Sequence, residues 1–221
     1  MHGFDQLMKK YCFVLFPILF STTAFAGVPW SQQAHEDLIR QAFPEERADC
    51  IARLNAGSAW VDSLVNQGPS HSFMHAMRSS DQTLEEAKSQ MADYIQRDFE
   101  LAKALYDSST QQIDATPDDP MAQFTPDGRL ITNMENYLQS CEHRGRGLHP
   151  VMDSTSPAHA NFAVWSITDL GEILQHGDMP NSIENERALF ANPDLMKKTV
   201  ALMLVVQKMY IDLGIFDFRF E

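Results

Sequence analysis

The chain has 221 residues, with 17 basic against 30 acidic side chains and a formal net charge of −13. That length makes one domain with a core large enough to fold alone. The acidic balance, with no basic run interleaved with aromatics, excludes a general grip on phosphate backbones through surface charge.

Residues 1–26 read as a secretory signal peptide. Lys9 and Lys10 precede an apolar run from Cys12 to Phe20, too short to span a membrane comfortably, and Ala24-Phe25-Ala26 is an A-x-A-type cleavage site. An uncleaved anchor is the alternative. Cleavage removes Lys9, Lys10 and Asp5, leaving 15 basic and 29 acidic residues and a net charge of −14. Two cysteines remain, Cys50 and Cys141. In an oxidising compartment they form either a disulfide or two buried thiols. A bridge closing so long a loop contributes about 4–5 kcal/mol in the chain-entropy model.

Residues 27–221 contain no repeat or low-complexity tract, and helical periodicity predicts an all-α, single-domain multi-helix bundle. Ser31 is placed to cap a first helix to about Phe43, with Ala34, Leu38 and Ala42 on its apolar stripe. A second helix is expected from Glu46 to Val65. A third opens at Ser80 or Asp81 and runs to Tyr106, with Leu84, Ala87, Met91, Ile95 and Ala102 in period. Residues 108–128, rich in Asp and Pro, read as an irregular connection. A central helix spans Ile131 to Asp153 with Pro150 in its last turn, and another spans Asn161 to Gln175. The last helix is capped by Asn192 with Pro193 in its first turn. Its run Val200–Val206 is apolar all round and is expected to pass through the centre of the bundle. The aromatics of the tail Phe216–Phe220 suit packing.

The chemistry concentrates in His149–Phe162. His149 and Asp153, four residues apart, share one helical face, and His159 follows after Ser154–Pro157 turn the chain. Neutral imidazole and carboxylate are typical zinc ligands. The pattern His149, Asp153, Pro157, His159, Asn161-Phe162 resembles the signature of the zinc-dependent phospholipases C and the related single-strand-specific zinc nucleases. These carry His-x3-Asp-x5-His with a Pro before the second His and an aromatic soon after it. The resemblance implies a helical bundle with a metal cluster between helices, and it does not choose between lipid and nucleic acid.

Other polar residues stand where polar residues are out of place. His35 lies beside Ala34 near the core side of the first helix; a carbonyl could satisfy it, but Trp30 followed by His35 resembles the family's N-terminal Trp and first His ligand. Asp62 interrupts the apolar run Ala59–Val65, where a buried carboxylate needs a cation, either a metal or an arginine. The family places an Asp ligand there and one His a dozen or so residues later, which selects His75 over the more polar surroundings of His71. His143, between Glu142 and Arg144, reads as a solvated surface side chain. Beyond His159 the family uses a His and then an acid four residues on. Here His176 is the remaining His and position 180 is Pro, leaving Glu172 or Glu184 as the acid.

By resemblance, His75, His149, Asp153 and Asp62 hold one zinc. His159, His176 and a carboxylate (Glu172 or Glu184) hold a second, and His35, Asp153 and the Trp30 backbone hold a third. In the family that Trp is the first mature residue and binds with its free amine. Here Gly27-Val28-Pro29 precede it, so the nitrogen is an amide and the third site is expected to be weak. The implied protein is a secreted zinc-dependent phosphodiesterase with two or three zincs. Metal-activated water would attack a phospholipid or small phosphodiester at a membrane surface or in solution, with Asp62 also able to accept the water's proton. Two alternatives stand beside it: a single-strand nuclease or nucleotidase, stacking bases on Trp60, Phe73, Phe124 or Trp165, and a catalytically inactive zinc-stabilised binding module.

Overall fold

The computed structural model describes residues 32–113, 121–156, 159, 161–165 and 192–212. Over these the chain is all-α, with helices α1 (Gln32–Ala42), α2 (Ala48–Val61), α3 (Leu84–Ser109), α4 (Met134–Asp153) and α5 (Pro193–Gln207). Two 3-10 segments, Leu64–Asn66 and Pro69–His75, join α2 to α3. Between α3 and α4, the two-residue strands β1 (Thr110–Gln111) and β2 (Leu130–Ile131) pair antiparallel.

Helix α4 is the axis of the bundle, packed on one side by α2 and on another by α3. Along α2, Cys50 is bonded to Cys141, Leu54 lies against Gly145, and Ser58 meets His149. The partner numbers rise together, so α2 and α4 run parallel. Against α3 they run opposite ways: Tyr106 meets Tyr137, Asp98 meets His143, and the Phe99 ring covers Gly147. The α2–α4 contact is unusually close because it is made by glycines. A Cβ on Gly57 would stand 2.0 Å from the Glu142 carbonyl oxygen, and one on Gly145 would stand 2.1 Å from that of Leu54. The two backbones therefore touch, and the Cys50–Cys141 disulfide locks the register across a sequence separation of 91.

Several helix ends differ from the periodic expectation. Helix α2 stops at Val61 rather than Val65 because the Trp60 carbonyl is taken by competing donors: the N–H of Asp62 and of Ser63, Ser63 Oγ at 2.6 Å and Asn66 Nδ2 at 2.7 Å. Helix α3 is capped by Thr83, not by Ser80 or Asp81. Thr83 Oγ1 accepts from the Glu86 N–H and the Glu86 carboxylate accepts from the Thr83 N–H, while Asp81 is engaged by Ser79. Its buried stripe holds Ala87, Met91, Ile95 and Ala102 as expected, but Leu84 is 37% exposed at the first turn. Helix α4 begins at Met134, because Ile131 is taken into β2 and the Asn133 side chain accepts from the Asn136 N–H. It continues through Pro150 to Asp153.

Asn192 caps α5, accepting from the Leu195 N–H. That helix is not the centre of the bundle, however. Met196, Thr199, Met203 and Val206 are buried on the face toward α1 and α4, whereas Leu204 and Val205 are 43% and 37% exposed. No helix starts at Asn161 either: Asn161 and Phe162 have positive φ, and Val164 bridges to Arg78. Residues 166–175 and the tail 216–220 lie outside the described residues.

Candidate metal centre

The parallel pairing of α2 and α4 brings their C-terminal ends together, and each end carries a carboxylate. Asp62 caps α2, and Asp153 is the last residue of α4, one turn beyond His149. Carbonyl groups at a helix C-terminus give it partial negative charge. Two such ends and two carboxylates in a nearly closed space would repel unless something positive stands between them.

Imidazoles fill the surroundings. His35 comes from the first turns of α1, on the buried face with Ala34, Leu38 and Ile39. His75 ends the 3-10 segment Pro69–His75, where Ala76 turns the chain at φ 52°. His159 follows turns that extend α4, with Ser156 N–H donating to Asp153 and His159 N–H to Ser156. All four histidines are at most 3% exposed, and the Asp153 and Asp62 side chains are 0% and 10% exposed.

Four atoms outline the centre. His149 Nε2 lies 3.4 Å from Asp62 Oδ1 and 3.1 Å from Asp153 Oδ2. His75 Nδ1 lies 3.8 Å from Asp62 Oδ1 and 3.4 Å from Asp153 Oδ2. These four distances lie near the roughly 3.3–3.4 Å edges of a tetrahedral zinc with ligands at about 2.0–2.1 Å, and two close triads could hold an ion: His75, His149 and Asp153, and His35, Asp62 and His149. His149 Nε2 and Asp153 Oδ2, facing each other, are buried and make no hydrogen bond among the described residues.

Asp153 connects this set to the remaining histidines. Its Oδ2 is 3.6 Å from His159 Nδ1, and its Oδ1 is 3.1 Å from His35 Nε2. The other nitrogen of His35 is 3.8 Å from Asp62 Oδ2. Burial works against ionisation of Asp153, yet the imidazoles of His149, His159 and His35 together outweigh it and hold this carboxyl well below the usual carboxylate range. It is an anion in the protein interior.

The structure thus gathers six residues singled out from sequence: His35, Asp62, His75, His149, Asp153 and His159. Among the described residues, the acid at Asp62 faces histidines. Trp30, Glu172, His176 and Glu184 lie outside the described residues. His71 stays apart, half-buried beside Ser70. His143 is not a solvated surface residue: its Nδ1 is 2.9 Å from Asp98 on α3, which pulls it into the α3–α4 seam.

Three supporting residues escaped the sequence reading. Ser58 Oγ is 3.0 Å from His149 Nδ1, and the Gln67 amide is 3.3 Å from His75 Nε2. Ser58 stands four residues before Asp62 on α2, so helical spacing from that acid was a usable signal; nothing local marks Gln67. Arg78 ties the two strained turns together. Its guanidinium donates to the carbonyls of Phe162 and Gln82, and its backbone bonds to Ala163 and Trp165. Ala76, Asn161 and Phe162 all have positive φ, and such strain persists only where surrounding contacts hold it.

Compared with known proteins, the chain matches no family model, no curated protein and no solved structure.

Proposed function

We propose that this protein is a secreted zinc-dependent phosphodiester hydrolase, of the kind the phospholipase C resemblance implies. The observation that carries the reading is the four-atom set of His75 Nδ1, His149 Nε2, Asp62 Oδ1 and Asp153 Oδ2. Its four measured edges, 3.1–3.8 Å, lie near those of tetrahedral zinc, and it stands at the C-terminal ends of two parallel helices. These four residues would hold one zinc. His159, with residues beyond those described, would contribute to a second, and His35 with Asp153 Oδ1 to a weaker third. Zinc, when bound, acts as a Lewis acid on a phosphoryl oxygen and makes a water easier to deprotonate.

The residues of the chain supply the rest. Asp153 presents one oxygen to His75, His149 and His159 and the other to His35, so one carboxylate organises four imidazoles. Asp62, the more accessible of the two acids, stands at the edge of the set, where it would accept a proton from water. Trp165 packs its ring 5.7 Å from that of His75 and is 5% exposed, closing one side against solvent.

Two further features support the details. The Cys50–Cys141 disulfide suits an oxidising compartment, in keeping with the signal-like residues 1–26. Among the aromatics considered as base-stacking platforms, Trp165 is buried, while Trp60 is 39% exposed with the Arg146 guanidinium 4.3 Å from its ring centroid. The acidic balance favours a lipid or small phosphodiester over single-stranded nucleic acid.

The test combines elemental analysis of the purified mature protein with side-by-side hydrolysis of a phospholipid and single-stranded DNA. At least two tightly held zincs are expected, with faster release of phosphorylated head group than of nucleotide. Protein without tightly held metal sinks the reading, and faster nucleotide release transfers it to the nuclease alternative.

A further inference from the structure

The two imidazoles of the four-atom set present different ring nitrogens to its centre, Nε2 from His149 and Nδ1 from His75. A lone pair aimed inward leaves the proton on the other nitrogen, so a ligating His149 carries Nδ1–H and a ligating His75 carries Nε2–H. Both residues are 0% exposed, and a buried N–H without an acceptor is costly. Among the described residues, each outward nitrogen meets a side chain able to accept. Ser58 Oγ, itself buried, is 3.0 Å from His149 Nδ1. The Gln67 amide is 3.3 Å from His75 Nε2.

Gln67 turns its NH2 toward His75, while its own carbonyl oxygen is buried and makes no hydrogen bond among the described residues. Amide oxygen and nitrogen have nearly the same shape. A half-turn of the amide brings the oxygen onto the His75 Nε2–H and places the NH2 where the oxygen stood. The position of Gln67 is itself fixed from α2: it follows the Leu64–Asn66 turn, which Asn66 Nδ2 pins to the Trp60 carbonyl at 2.7 Å.

We propose that Ser58 and Gln67 are positioning residues of the metal centre. Each accepts the outward N–H of one histidine and so keeps His149 Nε2 and His75 Nδ1 aimed at the shared centre. The assignment rests on the zinc reading of that centre. A hydroxyl and an amide can each donate or accept. Either ring tautomer therefore finds a partner in these two groups. A partner able only to accept would favour the ligating tautomer, and an apolar one would leave a buried N–H alone.

The test is zinc affinity by chelator competition for the full mature protein and for Ser58→Ala, Ser58→Thr, Gln67→Leu and Gln67→Glu. Ser58→Ala and Gln67→Leu are expected to bind zinc about 10–100-fold more weakly, the usual effect of losing such a partner. Ser58→Thr keeps an acceptor and should stay within a few-fold of the parent, while Gln67→Glu, able only to accept, should bind zinc at least as tightly. Long-range proton–nitrogen correlation spectra of the zinc-loaded parent should show His149 protonated at Nδ1 and His75 at Nε2. Unchanged affinity in Ser58→Ala and Gln67→Leu, or the opposite ring protonation, overturns the positioning roles while leaving the zinc reading standing. A parent protein that binds no zinc overturns both. Circular dichroism and metal-free melting check that each variant folds; should the apolar ones fail, the spectra of the parent decide.

Discussion

At the scale of single residues, Asp153 stands out because it is fully buried, ionised and shared by four histidines. Asp153→Asn keeps the shape and removes the charge, so zinc affinity should fall at least about 100-fold, since ligand and charge are lost together. The rise in melting temperature expected for the parent with zinc should vanish with it, because metal that binds only the folded state stabilises it. A zinc-dependent rise that survives the substitution would falsify the central role of this residue. Two tyrosines make a separate, metal-independent prediction. Burial, reinforced by the charge of Asp98 at Tyr94 and of Glu46 at Tyr137, pushes both phenols up from their ordinary value. In the unfolded chain they ionise near pH 10, while in the folded protein they stay protonated. Their contribution to stability is therefore complete below about pH 10 and is lost as pH rises beyond it, the unfolded state alone releasing protons. Urea unfolding at about pH 8 and about pH 11 reads this directly; equal stability at the two would contradict it.

At the scale of helices, two features make opposite forecasts for the centre. In Gly145→Ala the new methyl meets the Leu54 carbonyl, which belongs to a helix backbone and cannot swing aside. Overpacking of this kind costs about 1–3 kcal/mol, and the rigid obstacle points to the upper end. Because α2 must move off α4, zinc affinity should fall as well. Thr83→Ala removes the reciprocal cap of α3 and costs about 1 kcal/mol, with zinc affinity unchanged. Chemical denaturation and a zinc titration on the two variants separate them. The same contrast explains what could be read from sequence. The all-α class, the cap at Asn192 and the six clustered acids and imidazoles were legible because each is marked locally: a period, a capping side chain, or an acid or imidazole on an apolar face. The end of α2 was not, since it depends on Ser63 and Asn66 competing for one carbonyl. The role of α4 as axis was not legible either. Its glycines look like weak helix formers until the partner backbone is known, whereas the apolar α5 run promised a burial that its neighbours do not provide.

At the scale of the whole molecule, the disulfide and the candidate metal centre hold opposite ends of one helix pair. Cys141 and Asp153 are twelve residues apart on α4, roughly 18 Å along the helix axis. Reducing the Cys50–Cys141 bond should lower stability by about 4–5 kcal/mol in the chain-entropy model, given the 91-residue separation. Denaturant midpoints of metal-free protein, oxidised against reduced and alkylated, measure the loss. A matching midpoint would mean that the glycine contact alone fixes the pair. The bond also sets an order of events. With Cys50 tied to Cys141, Asp62 and Asp153 are held at high effective concentration before any cation arrives, so the ion meets a prepared set of ligands and need not gather them. In a reducing environment the same residues would sit on two helices without that tether and would compete less well for metal. If the centre holds zinc as proposed, the covalent bond would act as a licence for loading: the chain would become a good zinc acceptor only once its cysteines oxidise.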